Sequence, residues 1–230
     1  MRVADNVEML EIGGEGFAVY PTLTWDAEHL VLVDTGFPGQ ADDIVKAIAD
    51  AGFSAGRITH IIFTHQDIDH IGNIRELLCL SPGAQVLAHE TEAPYIDGRK
   101  TPVKLAEMQA HYDSLPPDQK ARCDQLRENF ASRRVPIDRC LRDGEVLGFC
   151  GGIEVIHTPG HTPGHISLFL KESEILVSGD ALNIENGAIA GPNPAFTQDM
   201  ELGLASMERA KKWPFRGMIS YHCGYLKRKE

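Results

Sequence analysis

The sequence predicts an α/β protein, of the α+β kind, in which two sheets pack face to face between layers of helices. Three observations carry that expectation. Strand-like runs occur in both halves of the chain, and each half has its own helical patterns. Residues 58–63 form an almost unbroken apolar run, as a strand buried on both faces must. The 230 residues are 43% hydrophobic and 24% charged, which suits one large globular unit better than two full ones.

The elements follow in order. Residues 7–12, 17–24 and 29–33 are rich in β-branched and aromatic side chains and read as a strand meander. Asp34-Thr35-Gly36 then ends a strand with turn chemistry. Ala41, Ile44, Val45, Ile48 and Ala49 recur at helical spacing and Gly52 closes the pattern, so residues 40–51 are expected as an amphipathic helix. The apolar run 58–63 delivers residues 65–70 into a loop, with a helix over Ile74–Leu80 behind it and a strand over Gln85–His89. From about 90 to 134 the chain turns charged and carries Pro94, Pro102, Pro116 and Pro117. Short helices are expected there near 103–112 and 118–131. Too few large apolar residues are present for a separate core, so 90–134 reads as a helical insertion over the main body of a single domain spanning 1–230. Strand signals return at Ile153–His157, Ile166–Leu170, 175–178 and 217–221. A Gly/Pro/Asn-rich loop (187–194) and a helix near 198–213 separate the last two.

Charge narrows the partners. With 33 acidic against 22 basic residues the net charge is −11, so phosphate backbones and anionic lipid are repelled. Nucleic acid and membrane are excluded on that ground, and a small-molecule substrate is expected; no feature specifies an oligomeric state. The N-terminus has no apolar run after its charge, and no stretch approaches the roughly 18 apolar residues of a membrane span. The five cysteines (79, 123, 140, 150, 223) are odd in number and lack a Cys-x-x-Cys pair. Reduced thiols in a cytoplasm fit that usage.

Two clusters carry chemistry. The first is Thr64-His65-Gln66-Asp67-Ile68-Asp69-His70; the second is Thr158-Pro159-Gly160-His161-Thr162-Pro163-Gly164-His165, followed by Gly179-Asp180 and Tyr221-His222-Cys223-Gly224. Imidazole suits zinc, iron and other transition metals, and carboxylate is the harder ligand. In an extended or turning segment alternate side chains share a face, so 65, 67 and 69 are expected to converge while His70 turns to a neighbouring position. A lone histidine after a turn is ordinarily surface, and a strand-end aspartate is ordinarily a cap. The inference rests on several such residues ending strands in one chain.

These segments resemble the metallo-β-lactamase superfamily, whose signature is His-x-His-x-Asp-His, then a separate His, a bridging Asp and a C-terminal His. The resemblance runs from Asp34-Thr35-Gly36 to His222, and Thr158–His165 is similar to the branch that includes glyoxalase II and the lactonases. It implies an αββα four-layer sandwich with the site at one edge. It also implies that His65, Asp67 and His161 hold one divalent metal, that Asp69, His70 and His222 hold a second, and that Asp180 bridges them. Zinc is the expected metal, with iron or manganese as alternatives. A metal-bound hydroxide would attack an ester, lactone, thioester or amide carbonyl. Asp69 would orient that hydroxide as the catalytic residue. Asp34 and His165 would hold ligands in place without binding metal themselves.

Asp67 departs from the pattern, standing where the family has histidine. A third carboxylate makes the site more negative, which implies a weaker Lewis acid and favours harder metals. Hydrolysis has two rivals, the first of them suggested by this acidic position. One is a diiron redox enzyme of the flavodiiron or persulfide dioxygenase kind; the other is a non-catalytic metal-containing binder. Cys223 is expected to pack inward, opposite His222, and His60 to be a core residue or one that supports a ligand. Tyr95, Arg99, Lys100, His111 and Tyr112 of the insertion could reach substrate, but a charged helix is more often simply a solvated face. No tyrosine follows Asp180 closely, which disfavours an acyl-homoserine lactonase, and the chain stops before any helical domain like that of glyoxalase II.

Overall fold

The computed structural model describes residues 1–14 and 17–228, so residues 15, 16, 229 and 230 of the expected 1–230 domain lie outside the description. One sheet has seven strands in the order Arg2–Ala4, Val7–Met9, Thr22–Trp25, Leu30–Val33, His60–Phe63, Gln85–His89, Arg139–Leu141. The other has six: Val146–Leu147, Ile153–His157, Ile166–Leu170, Ile175–Val177, Gly217–Ser220, Gly224–Lys227. The strands from Leu30 to Leu141 pair in parallel, as do Ile175–Val177 and Gly217–Ser220.

Alternation along each strand builds the layers. Ile61 and Phe63 point into a core shared with Ile44 and Ile48 of helix Ala41–Asp50 and with Ile74 and Leu77 of helix Ile74–Leu80. Ile62, between them, joins Val31, Val33 and Leu87 against Val155, Leu168, Val177 and Ile219 of the second sheet. The far face of that sheet, through Ile156, Phe169, Leu176 and Met218, packs on Ala210 of helix Met200–Ala210 and on Phe215. Helix, sheet, sheet and helix therefore stack as an αββα sandwich. Strands buried on both faces explain the continuous apolar runs.

Boundaries shift where local chemistry intervenes. The run 58–63 begins its strand only at His60, because Ser54 caps a 3-10 turn over Ala55–Arg57 by accepting from the Gly56 amide. The run 7–12 splits: Val7–Met9 stays in the large sheet, and Ile12–Gly14 pairs with Phe17–Val19 in a hairpin of its own. The expected loop 187–194 holds part of a second hairpin, Asn183–Glu185 with Ala188–Ala190. Its turn is Asn186-Gly187, both in the left-handed region (φ 51° and 75°), the chemistry of a tight two-residue turn. Between 90 and 134 lie helices Ala93–Ile96, Val103–Ala110 and Pro117–Ser132. They do more than lie over the body, since Leu105, Cys123 and Phe130 are buried in the first core. Among the described residues no helix is long and apolar enough to cross a membrane.

Candidate metal centre

The two clusters meet where strands end. His60–Phe63 runs into Thr64–His70, Leu30–Val33 into Asp34, Ile153–His157 into Thr158–His161, Ile175–Val177 into Asp180, and Gly217–Ser220 into His222. Gly160 (φ 132°) lets its turn pass against helix Met200–Ala210, where a Cβ would meet the Gly203 amide nitrogen at 2.3 Å.

All seven candidate ligands converge, in two groups. Ligand atoms of His65, His161 and Asp180 lie within 4.8 Å of one another, and so do those of Asp69, His70 and His222. Asp67 Oδ2 stands 3.1 Å from His65 Nε2 and 3.0 Å from His161 Nε2, which adds it to the first group. Asp180 faces both groups, its Oδ2 3.4 Å from His161 Nε2 and 3.3 Å from His222 Nε2, its Oδ1 3.4 Å from His70 Nε2. The alternating-face expectation for 65, 67 and 69 does not hold. Residues Ile68–Ile71 form a helical turn with Asp67 at its N-cap, and helical spacing carries Asp69 and His70 together toward His222.

The residues fit metal cations. His70 Nε2 and Asp180 Oδ1 are buried and without a hydrogen-bond partner. Leaving such atoms unsatisfied costs about 1–3 kcal/mol each, and a cation between ring and carboxylate removes that cost. The Nδ1–H of His70 donates to Asp34 Oδ2 at 2.9 Å, which leaves the Nε2 lone pair aimed into the centre. Asp34 is itself held, accepting from the Thr64 amide (2.9 Å) and hydroxyl (2.8 Å). His165 Nε2 accepts from the Asp180 amide at 3.0 Å, so that nitrogen is engaged in placing Asp180. Asp34 thus fixes the His70 ring and His165 the main chain at Asp180.

Electrostatics favour the ligating protonation state of the carboxylates and of His65, while the surrounding carboxylates hold His70 and His222 toward the charged form that a bound cation would replace. Burial alone would raise the Asp67 carboxyl, but the His65 and His161 rings and the Lys104 ammonium hold it well below the usual carboxylate range. Asp180 is likewise held well below that range against its burial, by His70, His161 and His222. Burial and the neighbouring charge of His70 push His65 down to about 4. Burial opposes charging His222, yet Asp180 and Asp69 bring it up to about 10.

A family model described as the metallo-beta-lactamase superfamily matches residues 14–214. The chain belongs to the metallo-beta-lactamase superfamily. Among its relatives, "Probable metallo-hydrolase YflN" of Bacillus subtilis (strain 168) is 33% identical over 197 residues, covering 79% of this chain and 70% of the relative. "Hydroxyacylglutathione hydrolase GloC" of Haemophilus influenzae is 24% identical over 183 residues, covering 77% and 72%. The metallo-beta-lactamase family protein TTHA1429 of Thermus thermophilus superposes with a TM-score of 0.72 at 25% identity, over 98% of this chain and 76% of that one. The fold is shared with BJP-1, a subclass B3 metallo-beta-lactamase of Bradyrhizobium japonicum (TM-score 0.66, 24% identity, 96% and 76% coverage).

In this metallo-beta-lactamase superfamily member the insertion reaches the centre through a residue that sequence reasoning passed over. Lys104, in helix Val103–Ala110, pairs with Asp67 Oδ2 and stands 3.2 Å from His161 Nε2. Its ammonium stands against the extra carboxylate. The insertion residues that could have reached substrate are engaged with one another or exposed, as a solvated face would be. Arg99 pairs with Asp97, Lys100 lies over the Tyr95 ring, Tyr112 donates to Asp124, and His111 is exposed. Two further residues take roles that no motif announced, although Tyr221 adjoins His222. Glu92 is fully buried and accepts from Gln66, Thr162 and Gly164, tying one ligand loop to the other. Tyr221 stacks on His70 at 3.8 Å and donates its hydroxyl to the Asp69 carbonyl at 2.6 Å. Cys223 is exposed rather than inward, because residues 221–223 form a turn in which strand alternation no longer applies. His60 stacks on Phe149 at 4.3 Å, half-buried and outside the centre.

Proposed function

We propose that this protein is a metal-dependent hydrolase that directs water onto the carbonyl of a small ester, lactone, thioester or amide. The observation that carries the reading is the convergence of seven ligand-type side chains in two groups facing Asp180, with two buried ligand atoms left unpartnered. Relatives named as a metallo-hydrolase and as a hydroxyacylglutathione hydrolase support hydrolysis. Residues 1–230 act as one domain in this reading, and 90–134 is an insertion that contributes to the site. Five free cysteines among the described residues support a reducing compartment, the cytoplasm.

His65, Asp67 and His161 would hold one ion, Asp69, His70 and His222 a second, with Asp180 between; zinc suits the imidazoles, and iron or manganese the added carboxylate. Such ions, when bound, lower the pKa of water from about 16 toward about 7 and so supply hydroxide at neutral pH. The chain's own residues do the rest. Asp69, kept ionised against its burial by His70 and His222, is an acceptor that orients the attacking water. Asp34 holds the His70 ring, and His165 holds the main chain at Asp180. The His222 side chain is 35% exposed, against 2% or less for the His65, His70 and His161 side chains, so substrate approaches from its side.

The test is metal content of protein purified without added metal, followed by a panel of esters, lactones and thioesters. About two zinc per chain and hydrolysis abolished by a chelator and restored by zinc are expected. Two iron with a charge-transfer band would move the protein to redox chemistry. Less than one metal per chain, not raised by adding zinc, iron or manganese, would remove the site assignment.

A further inference from the structure

Lys104 occupies a built position. The first helical amide beside it, Val103 N–H, donates to Gln66 Oε1 at 2.8 Å, and Gln66 lies between the candidate ligands His65 and Asp67. The Gln66 amide group in turn donates to Glu92 at 2.9 Å, and Leu105, on the other side of Lys104, is 3% exposed. The first cluster itself therefore sets the register of helix Val103–Ala110, and that register delivers the ammonium. The Lys104 side chain is 28% exposed while Asp67 is 8% exposed, so the charge enters from the solvent side of the site.

The ammonium meets two of the three groups that would hold the first metal. A divalent ion there needs the lone pairs of His65 and His161 and an oxygen of Asp67. Lys104 pairs with Asp67 and lies 3.2 Å from His161 Nε2. An incoming ion must displace it or share Asp67 with it, and like charges at such range repel. Asp69 and Asp180 differ: among the described residues their ion pairs are to histidines, with no lysine or arginine.

Resting on the metal-binding reading above, we propose that Lys104 is a positioning residue that weakens the His65/Asp67/His161 position relative to the Asp69/His70/His222 position. The two positions then fill in order, the second group first, and the first metal is the exchangeable one. Lysine suits this role, since a compact charge on a flexible stem can withdraw without disturbing the helix that carries it.

The experiment is a zinc titration of the metal-free full chain against a chromophoric chelator, backed by calorimetry, on wild type, Lys104→Met and Lys104→Arg. Circular dichroism checks folding, and Lys104→Gln serves as the second neutral variant. Wild type is expected to show two classes of site separated by about tenfold or more, given one partly screened unit charge at contact distance. Lys104→Met should tighten the weaker class by about tenfold and move the tighter class by no more than about threefold, while Lys104→Arg stays near wild type. A weaker class that is unchanged or loosened in Lys104→Met, or two classes that shift together, would overturn the role of Lys104 and leave the metal reading standing. No zinc binding by wild type or any variant would remove both.

Discussion

Replacing Glu92 by glutamine tests how the two ligand loops are held together. Glu92 Oε2 accepts from the Gln66 amide N–H and from Gln66 Nε2, both at 2.9 Å; Oε1 accepts from the Thr162 hydroxyl at 2.8 Å and the Gly164 N–H at 2.7 Å. All four partners donate, so the geometry matches the ionised carboxylate, although burial pushes this carboxyl upward. Glutamine keeps the shape and puts an NH2 group in place of one oxygen. The Thr162 hydroxyl can rotate, but at either end one main-chain N–H, of Gly164 or Gln66, is left facing a donor. A buried unsatisfied group costs about 1–3 kcal/mol, and the charge-assisted bonds weaken as well, so Glu92→Gln should destabilise by about 2–4 kcal/mol. For a chain of this size each kcal/mol moves Tm by about 2–4 °C, which gives a fall of about 4–16 °C. Thermal unfolding of metal-loaded protein reads it directly, with a guanidinium titration at unchanged m as the check. A Tm within about 2 °C of wild type would refute the reasoning, for it would mean that the carboxyl is buried neutral and the amide replaces it without loss.

Two further outcomes follow from the same geometry. Asp67→His restores the superfamily's usual residue but strips Lys104 of its carboxylate; zinc affinity at the first position should fall, and Asp67→His with Lys104→Met should recover it. Tighter zinc binding by Asp67→His alone, in chelator competition, would contradict this coupling. His89, stacked on His157 at 4.4 Å and 7°, accepts the Thr91 N–H at its Nδ1 and is pushed down to about 4 by burial and by His157. A base with a depressed folded-state pKa contributes stability that is full above its unfolded value of 6.5 and is lost as pH falls through about 4. His89→Asn keeps an acceptor for Thr91 and should therefore lose on the order of 1–2 kcal/mol less than wild type between pH 6.5 and 4, read from denaturant midpoints. An unchanged pH profile would place the acid sensitivity elsewhere.

Local pattern made most elements legible. The strands Gln85–His89, Ile153–His157 and Ile166–Leu170 and the helix Ile74–Leu80 stand where apolar spacing places them, because burial on one or two faces imposes that spacing. The candidate ligands were legible for a different reason: imidazole and carboxylate at strand ends beside turn residues form a motif that chemistry singles out. Their division into groups came from the family resemblance and not from alternation along the segment, since Asp69 joins His222 because Ile68–Ile71 turns as a helix.

By itself, then, the sequence determined the layers, the family and the side chains that could bind metal, all properties of short windows in which neighbours along the chain decide. The tertiary structure alone decided that Lys104 meets Asp67, that Glu92 ties Gln66 to Thr162 and Gly164, and that Tyr221 braces His70. These are single residues whose partners lie far off in the chain, Lys104 from Asp67 by 37 positions and Glu92 from Thr162 by 70. A lone charge carries no periodicity, and its role depends on which charge the packed sheets bring against it.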